Sequence, residues 1–167
     1  MIPSPSEEIF PIVDEEGNTI GKAPRSVCHD GKSMLLHPVV HLHFYNKSGE
    51  LFLQKRASTK DIQPGKWDTS VGGHINLEET VELALLREAE EELGITGFVP
   101  VFLGKYIWES SREKELVNSF STSSDKIPVI NKNEIEEGRF WSIEEIKDYL
   151  GKEIFTPNFE YEFELLF

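Results

Sequence analysis

The sequence is poor in cysteine, in basic residues and in long apolar runs. Cys28 is the only cysteine among 167 residues, which excludes an intrachain disulfide and a cysteine-rich metal site. Lys and Arg number 17 against 30 Asp and Glu, and the net charge of -13 disfavours nonspecific binding to nucleic acid or anionic lipid. No segment approaches the roughly 20 apolar residues of a membrane span, and the first residues lack the basic and apolar regions of a signal peptide. These absences predict a cytoplasmic protein with no nucleic-acid or membrane partner.

Strand-forming segments predict a sheet built largely from hairpins. Residues 9–13 and 19–25 flank the turn signal DEEGN, and residues 39–45 and 51–55 flank the turn residues NKSG. The polar stretch 25–36 is predicted to be a loop. Further strands are predicted at residues 68–71, 98–108, 116–121 and 139–141. A chain of this length can bury one hydrophobic core, so we expect a single domain.

Capping residues predict where the helices begin and end. Three helices are expected, over residues 77–93, from Ser142 to Tyr149, and from Thr156-Pro157 onwards. For the longest, Asn76 with Glu79 three residues later resembles a capping box, and Gly94 is the expected left-handed stop. Strands outnumber helices and hairpins precede the long helix, which predicts an α+β fold with helices packed on a mixed sheet.

Clustered carboxylates at the end of the long helix conflict with local helix energetics. Glu88, Glu90, Glu91 and Glu92 crowd the negative end of the helix dipole, where anionic side chains are disfavoured. On a helical wheel Glu88, Glu91 and Glu92 share an arc of about 100° beside the apolar face, whereas Glu90 points elsewhere. An isolated run of this kind is usually a solvated surface. A hard cation such as Mg²⁺ would relieve the repulsion and bind phosphate oxygens as well.

These acids belong to a longer pattern of fixed spacing. The segment 73–95 reads GHINLEETVELALLREAEEELGI. Its defining positions are Gly73, Glu79, Arg87, Glu88, Glu91, Glu92 and Gly94. This resembles the Nudix box with no departure at a defining position, and the wider resemblance covers about residues 8 to 160. It implies a single Nudix domain over residues 1–167, an α/β/α sandwich around a mixed β-sheet, with an N-terminal hairpin at about 8–25.

The resemblance also implies roles for the residues of the box. Glu88, Glu91 and Glu92, with the carbonyl of Gly73, would bind Mg²⁺, for which Mn²⁺ can substitute. The expected catalytic residues are Glu88, Glu91 and Arg87, and Glu79 would support Arg87 through an ion pair. The less favoured alternative for Glu79 is a simple helix cap, and the two roles do not exclude each other.

The general base is left open by the sequence. Within the box, Glu91 or Glu88 could accept the proton of the attacking water. In some relatives the base comes from a later loop, where the candidates are Glu134, Glu136 and Glu137. We take Glu136 as the candidate loop base, although a surface role is more common for such residues.

Basic and aromatic residues outside the box are weaker candidates. Arg56 is a candidate substrate-binding residue because its guanidinium suits bidentate phosphate contacts, and strand alternation puts Lys55 on the opposite face. A surface role for Arg56 is as common. Three tryptophans are expected mainly in the core: Trp67, Trp108 and Trp141. Four histidines are possible metal ligands, although packed sheet positions are more frequent for them: His37, His41, His43 and His74.

The predicted function is Mg²⁺-dependent hydrolysis of a phosphoanhydride bond in a nucleoside-diphosphate-linked or related small metabolite. The run LFLQKRASTKDIQPGKWDTSVGGH also resembles isopentenyl diphosphate isomerases of the same superfamily. Those enzymes use a cysteine just before the Gly-His pair, a place that Gly72 occupies here. The intact box also favours hydrolysis over the isomerase and over a noncatalytic nucleotide-binding module. The substrate stays open, and a homodimer is common in such families.

Overall fold

A computed structural model describes residues 7–60 and 63–167. Its strands are β1 (Ile9–Val13), β2 (Thr19–Pro24), β3 (Leu36–Tyr45), β4 (Leu51–Arg56), β5 (Trp67–Asp68), β6 (Val71–His74), β7 (Val101–Glu109), β8 (Lys114–Ser123) and β9 (Ile135–Trp141). Its helices are α1 (Arg25–Cys28), α2 (Val81–Leu93), α3 (Ile143–Tyr149) and α4 (Pro157–Leu166). None of these helices is both long enough and apolar enough to cross a membrane.

The main sheet is mixed, as the sequence predicts. Its strand order is β5-β4-β3-β8-β7, while β6 also pairs with β3 and β9 also pairs with β4. The β3–β8 ladder is parallel and the other ladders of this sheet are antiparallel. The N-terminal hairpin of β1 and β2 forms a separate two-stranded sheet.

A gap between β3 and β4 makes room for the site. The two strands pair in register only at Tyr45 and Leu51, beside their connecting turn. Beyond it Ser70 bridges them, because its hydroxyl accepts from the Phe44 amide at 2.9 Å and donates to the Phe52 carbonyl. The glycine-containing strand β6 then pairs with β3.

Side-chain alternation along β3 separates two layers. Val40, Leu42 and Phe44 are fully buried in the cluster that also contains the apolar residues of α2. His41 and His43 point to the opposite face, where both contact Glu162 of α4. The period of two along a strand therefore places helices on both faces of the sheet, which is the expected α/β/α sandwich.

The helix α2 begins later than predicted. Residues 76–79 form a turn instead, closed by a hydrogen bond from the Glu79 amide to the Asn76 carbonyl, and in it Glu78 has a φ of 68°, which no right-handed helix accommodates. Thr80 is the N-cap, and its hydroxyl accepts from the Leu83 amide at 3.2 Å. The predicted stop is confirmed, since Gly94 ends the helix with a φ of 64°.

Other boundaries agree with the sequence in part. The predicted loop 25–36 contains the short helix α1, and β7 begins at Val101 rather than at residue 98. The caps of α3 and α4 are confirmed, because the hydroxyls of Ser142 and Thr156 each accept from the amide three residues later.

Candidate active site

Gly73 lies against the acidic face of α2. A Cβ atom added to Gly73 would stand 2.2 Å from Cδ of Glu88 and 2.5 Å from its Oε2. Such distances are far below van der Waals contact, so with any larger residue at position 73 either β6 or the Glu88 side chain would have to move. The lack of space between β6 and Glu88 therefore explains why the box has a glycine at position 73.

Glu88 and Glu92 are carboxylates held together with little solvent. Glu92 is buried, and its Oε1 accepts from the Gln54 side chain at 2.7 Å. Its Oε2 has no hydrogen-bond partner among residues 7–60 and 63–167. Burial and the neighbouring Glu88 raise the pKa of Glu92 well above its usual value, and burial also raises the pKa of Glu88. A buried, partnerless carboxylate oxygen beside a second carboxylate suits a hard cation.

Arg87 connects this acidic face to the end of β6. Its Nε and Nη2 donate to the two carboxylate oxygens of Glu79 at 2.8 and 2.9 Å. Its Nη2 also donates to the His74 carbonyl at 3.0 Å, and its Nη1 donates to Glu88 at 2.7 Å. The side chain of Glu91 is 55% exposed, and its carboxylate lies 3.4 Å from the same Nη1. The guanidinium therefore fixes Glu88 firmly and Glu91 only loosely.

These residues open into a cavity of about 900 Å³. Four residues of the acidic helix line it, namely Arg87, Glu88, Glu91 and Glu92. Arg56 lines it as well, with Nη1 3.6 Å from the Asp68 carboxylate. Lys55 points away from it, as strand alternation predicts, and lies 3.4 Å from Glu136.

The structure does not bring the predicted loop base to this cavity. Glu136 lies on β9, exposed and paired with Lys55, and it is not among the described residues of the cavity wall. Glu137 is likewise exposed on β9, opposite Lys55 in the ladder. Glu134 precedes β9 and does line the cavity. The sequence could not show which of these three glutamates lines the cavity, because the segment was expected to be a loop, whereas a strand begins at Ile135.

Two of the predicted histidines belong to a cluster at one side of the cavity. His37 and His74 lie with His29, and their ring nitrogens are within 4.8 Å of one another. His37 also forms a group of the same dimensions with Glu115 of β8 and with Glu113, which immediately precedes that strand. His29, Glu113 and Glu115 are not among the residues that the sequence predicts for the site. The two-residue spacing of the glutamates at the start of β8 was the available signal, since residues two apart in an extended segment share a face.

Contacts and charges within this cluster suit a cation. His29 Nε2 lies 2.8 Å from a Glu113 oxygen and 3.2 Å from His74 Nε2. His37 Nδ1 donates to the Leu35 carbonyl at 2.9 Å, whereas its Nε2 is buried without a described partner.

The pKa values in the cluster depart from normal in both directions. Burial and the neighbouring His37 lower the pKa of His74 to about 3, which keeps its ring neutral. Loss of solvation and the Glu113 carboxylate raise the pKa of Glu115 well above normal. Burial opposes ionisation of Glu113, but the hydrogen bonds with His29 and Glu115 and the charges of His29 and His37 together outweigh it and bring that pKa to about 2. Neutral imidazoles beside carboxylates are the donor set of a transition-metal site.

The N-terminal hairpin covers the histidine cluster. Phe10 of β1 is fully buried, and its ring stacks on His74 at a centroid distance of 4.3 Å. Cys28 is buried in a small apolar cluster with Phe10, so its thiol cannot act in place of a cysteine at position 72.

Two of the tryptophans differ in their surroundings. Trp141 is buried in the core as expected, while Trp108 lines the cavity.

Comparison with known proteins agrees with this arrangement. Residues 35–159 match the family model described as NUDIX domain. The chain is 31% identical over 159 residues to isopentenyl-diphosphate Delta-isomerase 1 of Photorhabdus laumondii, covering 90% of each protein. It is 30% identical over 153 residues to the uncharacterised Nudix hydrolase YfcD of Escherichia coli, covering 92% of this chain and 83% of that protein.

Solved structures share the fold. The DR0079 protein of Deinococcus radiodurans superimposes with a TM-score of 0.81 at 23% identity, covering 96% of this chain and 99% of that one. A MutT protein of Methanosarcina mazei gives a TM-score of 0.67 at 27% identity, covering 78% and 92%. The sequence match, the mixed sheet and the complete box agree: the chain belongs to the Nudix superfamily, within its isopentenyl-diphosphate-isomerase-like subgroup.

Proposed function

We propose that this protein hydrolyses a phosphoanhydride bond in a small diphosphate-containing metabolite, with Mg²⁺ held by Glu88, Glu91, Glu92 and the Gly73 carbonyl. The observation that carries the proposal is the buried Glu92 oxygen without a described partner, beside Glu88. Mn²⁺ could replace Mg²⁺, because both accept carboxylate and carbonyl oxygens. A nucleoside-diphosphate-linked compound is the substrate class we favour. A cytoplasmic location and a homodimer stay predictions.

When bound, the cation would neutralise the charge of the diphosphate and increase the acidity of a water molecule. The protein's own residues then orient the carboxylates and accept a proton. Arg87 holds Glu88 at 2.7 Å, so the position of Glu88 is fixed. Glu91 contacts Arg87 only at 3.4 Å and is more exposed, which leaves it better suited to take a proton. Glu134 is the alternative base, because it lines the same cavity.

The histidine cluster supports a second cation site. His29, His37, His74, Glu113 and Glu115 offer imidazole nitrogens and carboxylate oxygens within a few ångströms. The Leu35 carbonyl fixes His37 Nδ1 and leaves its Nε2 for a ligand. Imidazole favours a transition ion such as Zn²⁺ over Mg²⁺ at this position.

The isomerase alternative is supported by the names of several relatives, including the Photorhabdus protein. Protonation and deprotonation of carbon in those enzymes uses a cysteine, and position 72 here is glycine. Cys28 is buried under the hairpin and cannot substitute. We therefore favour chemistry at phosphorus over chemistry at carbon.

A substrate panel tests the proposal. Nucleoside di- and triphosphates, nucleotide sugars, dinucleotides and isopentenyl diphosphate are incubated with the protein and Mg²⁺ in water enriched in ¹⁸O. We expect phosphorus-containing products carrying ¹⁸O from at least one anhydride, no activity in EDTA, and no dimethylallyl diphosphate. Formation of dimethylallyl diphosphate, with no anhydride cleaved, would assign the isomerase reaction instead.

A further inference from the structure

Glu162 forms a buried polar cluster between α4 and the sheet. The residue has no solvent exposure. Its carboxylate accepts from His41 Nδ1 at 2.7 Å and from the Ser119 hydroxyl at 2.8 Å, and it also contacts His43 Nε2 and the Tyr106 hydroxyl. A carboxylate is costly to remove from water unless it gains such donors. Burial opposes ionisation, but His41 and His43 outweigh it and hold the pKa of Glu162 well below its usual range.

The two histidines of this cluster differ in what their second nitrogen meets. His43 is completely buried, and its Nδ1 has no partner among the described residues. His41 is 8% exposed and lines the cavity. Because its Nδ1 faces Glu162, the opposite ring edge, formed by Cδ2 and Nε2, lies beside Gly72. No hydrogen bond within residues 7–60 and 63–167 uses this Nε2. Of these two histidines, His41 is therefore the one that reaches the cavity.

Gly72 leaves space in front of His41. The two residues are opposite each other in the β3–β6 ladder. A Cβ atom at position 72 would lie 3.4 Å from Cδ2 and 3.7 Å from Nε2 of His41. This is ordinary contact for one atom, but a longer side chain would stand in front of the nitrogen. The next residue, Gly73, lies against Glu88. Two consecutive residues of β6 therefore lie against the His41 ring edge and against Glu88, one of the carboxylates that we assign to the cation.

We propose that His41 is a substrate-binding residue whose Nε2–H donates to an anionic oxygen of the diphosphate, and that Glu162 is the positioning residue that holds its Nδ1. The inference rests on the proposed function. Burial alone would lower the pKa of His41, but the Glu162 carboxylate outweighs burial and raises it, which favours a proton on both nitrogens. Many carboxylates line the cavity, and Arg87 is engaged by Glu79 and Glu88. A diphosphate therefore gains from an additional donor on this wall.

Two substitutions of the same histidine separate the two nitrogens. In His41→Asn, the amide can replace Nδ1 toward Glu162 but nothing replaces Nε2. In His41→Gln, the amide reaches toward the Nε2 position and the contact with Glu162 is lost. The control is His43→Gln. His43 lies on the same strand face as His41 and also contacts Glu162, but it is not one of the described residues that line the cavity. The probe is imidodiphosphate with Mg²⁺, and its Kd is measured by calorimetry.

We expect His41→Asn to weaken probe binding about 10- to 100-fold, the usual effect of losing one hydrogen bond to a charged group. His41→Gln should recover part of this affinity at a lower melting temperature. His43→Gln should lower the melting temperature and leave Kd near the wild-type value. In the wild type, ¹⁵N NMR of the imidazoles should show a shift of His41 Nε2 on adding the probe and none of His43.

The outcomes distinguish this inference from the proposed function. Unchanged affinity in folded His41→Asn, or an unshifted His41 Nε2 signal in probe-bound wild type, would overturn the role of His41 and leave the hydrolase intact. Hydrolysis without any binding of imidodiphosphate would overturn it as well. A wild type that neither binds the probe nor cleaves any anhydride would overturn the proposed function together with this inference. The NMR result decides the matter even if a His41 variant does not fold.

Discussion

Glu88→Gln and Glu91→Gln should each lower kcat/KM about 100- to 10,000-fold while the protein stays folded. Glutamine keeps the size and helix propensity of glutamate but loses the charge that attracts a cation or accepts a proton. In Glu88→Gln, repulsion with the buried Glu92 also disappears, so the metal-free protein should not lose stability through that pair. The assay is steady-state kinetics on the best substrate of the panel, with circular dichroism to verify folding.

Glu90→Gln is the matched control for this prediction. Glu90 is in the same helical turn and exposed, and it is not among the described residues that line the cavity. Its substitution changes the net charge equally and should keep kcat/KM near that of the wild type. If Glu90→Gln is as damaging as Glu88→Gln in folded protein, the assignment of the chemistry to one face of α2 is wrong.

Gly73→Ala should lower kcat/KM about 100-fold or more, because the new methyl group would stand 2.2 Å from Cδ of Glu88. Either β6 or Glu88 must move, and both are assigned to the cation. Arg87 opposes movement of Glu88, since it donates to this carboxylate at 2.7 Å and to Glu79 as well. We therefore expect a loss of cation affinity in addition to the loss of turnover.

Gly72→Ala is the comparison for position 73. Both glycines lie in β6, but a methyl group at position 72 would meet its nearest neighbour, in His41, at 3.4 Å, an ordinary contact. Gly72→Ala should therefore lose much less activity than Gly73→Ala. Equal losses in two folded variants would mean that backbone flexibility, rather than the approach to Glu88, explains the glycine of the box.

The sequence predicts the acidic face well because that face depends on one helix. A period of 3.6 residues places Glu88, Glu91 and Glu92 together whatever the rest of the chain does. The start of α2 was missed because Glu78 adopts a positive φ, a choice that depends on how the turn before the helix closes. The burial of Glu92 and its contact with Gln54 could not be predicted from the sequence either, since the two residues are distant along the chain.

The histidine cluster and the His41–Glu162 pair could not be derived in the same way. His29, His74 and Glu115 come from three separate segments: His29 follows α1, whereas His74 and Glu115 are brought beside β3 by the β3–β6 and β3–β8 ladders. Glu162 joins His41 because α4 packs on the face of β3 opposite to α2. Such contacts depend on strand register, and a shift of one residue would turn each side chain to the other face.

Cation binding by the acidic face tests the account most directly. Mg²⁺ and Mn²⁺ are titrated into the metal-free wild type and into the variant with Glu88, Glu91 and Glu92 all replaced by glutamine, and binding is followed by calorimetry and by Mn²⁺ electron paramagnetic resonance. The histidine cluster is intact in both proteins, so binding at that cluster cancels in the comparison. The account predicts a saturable Mg²⁺ site in the wild type that the folded triple variant lacks. An equal number of Mg²⁺ sites of equal affinity in the two proteins would contradict it.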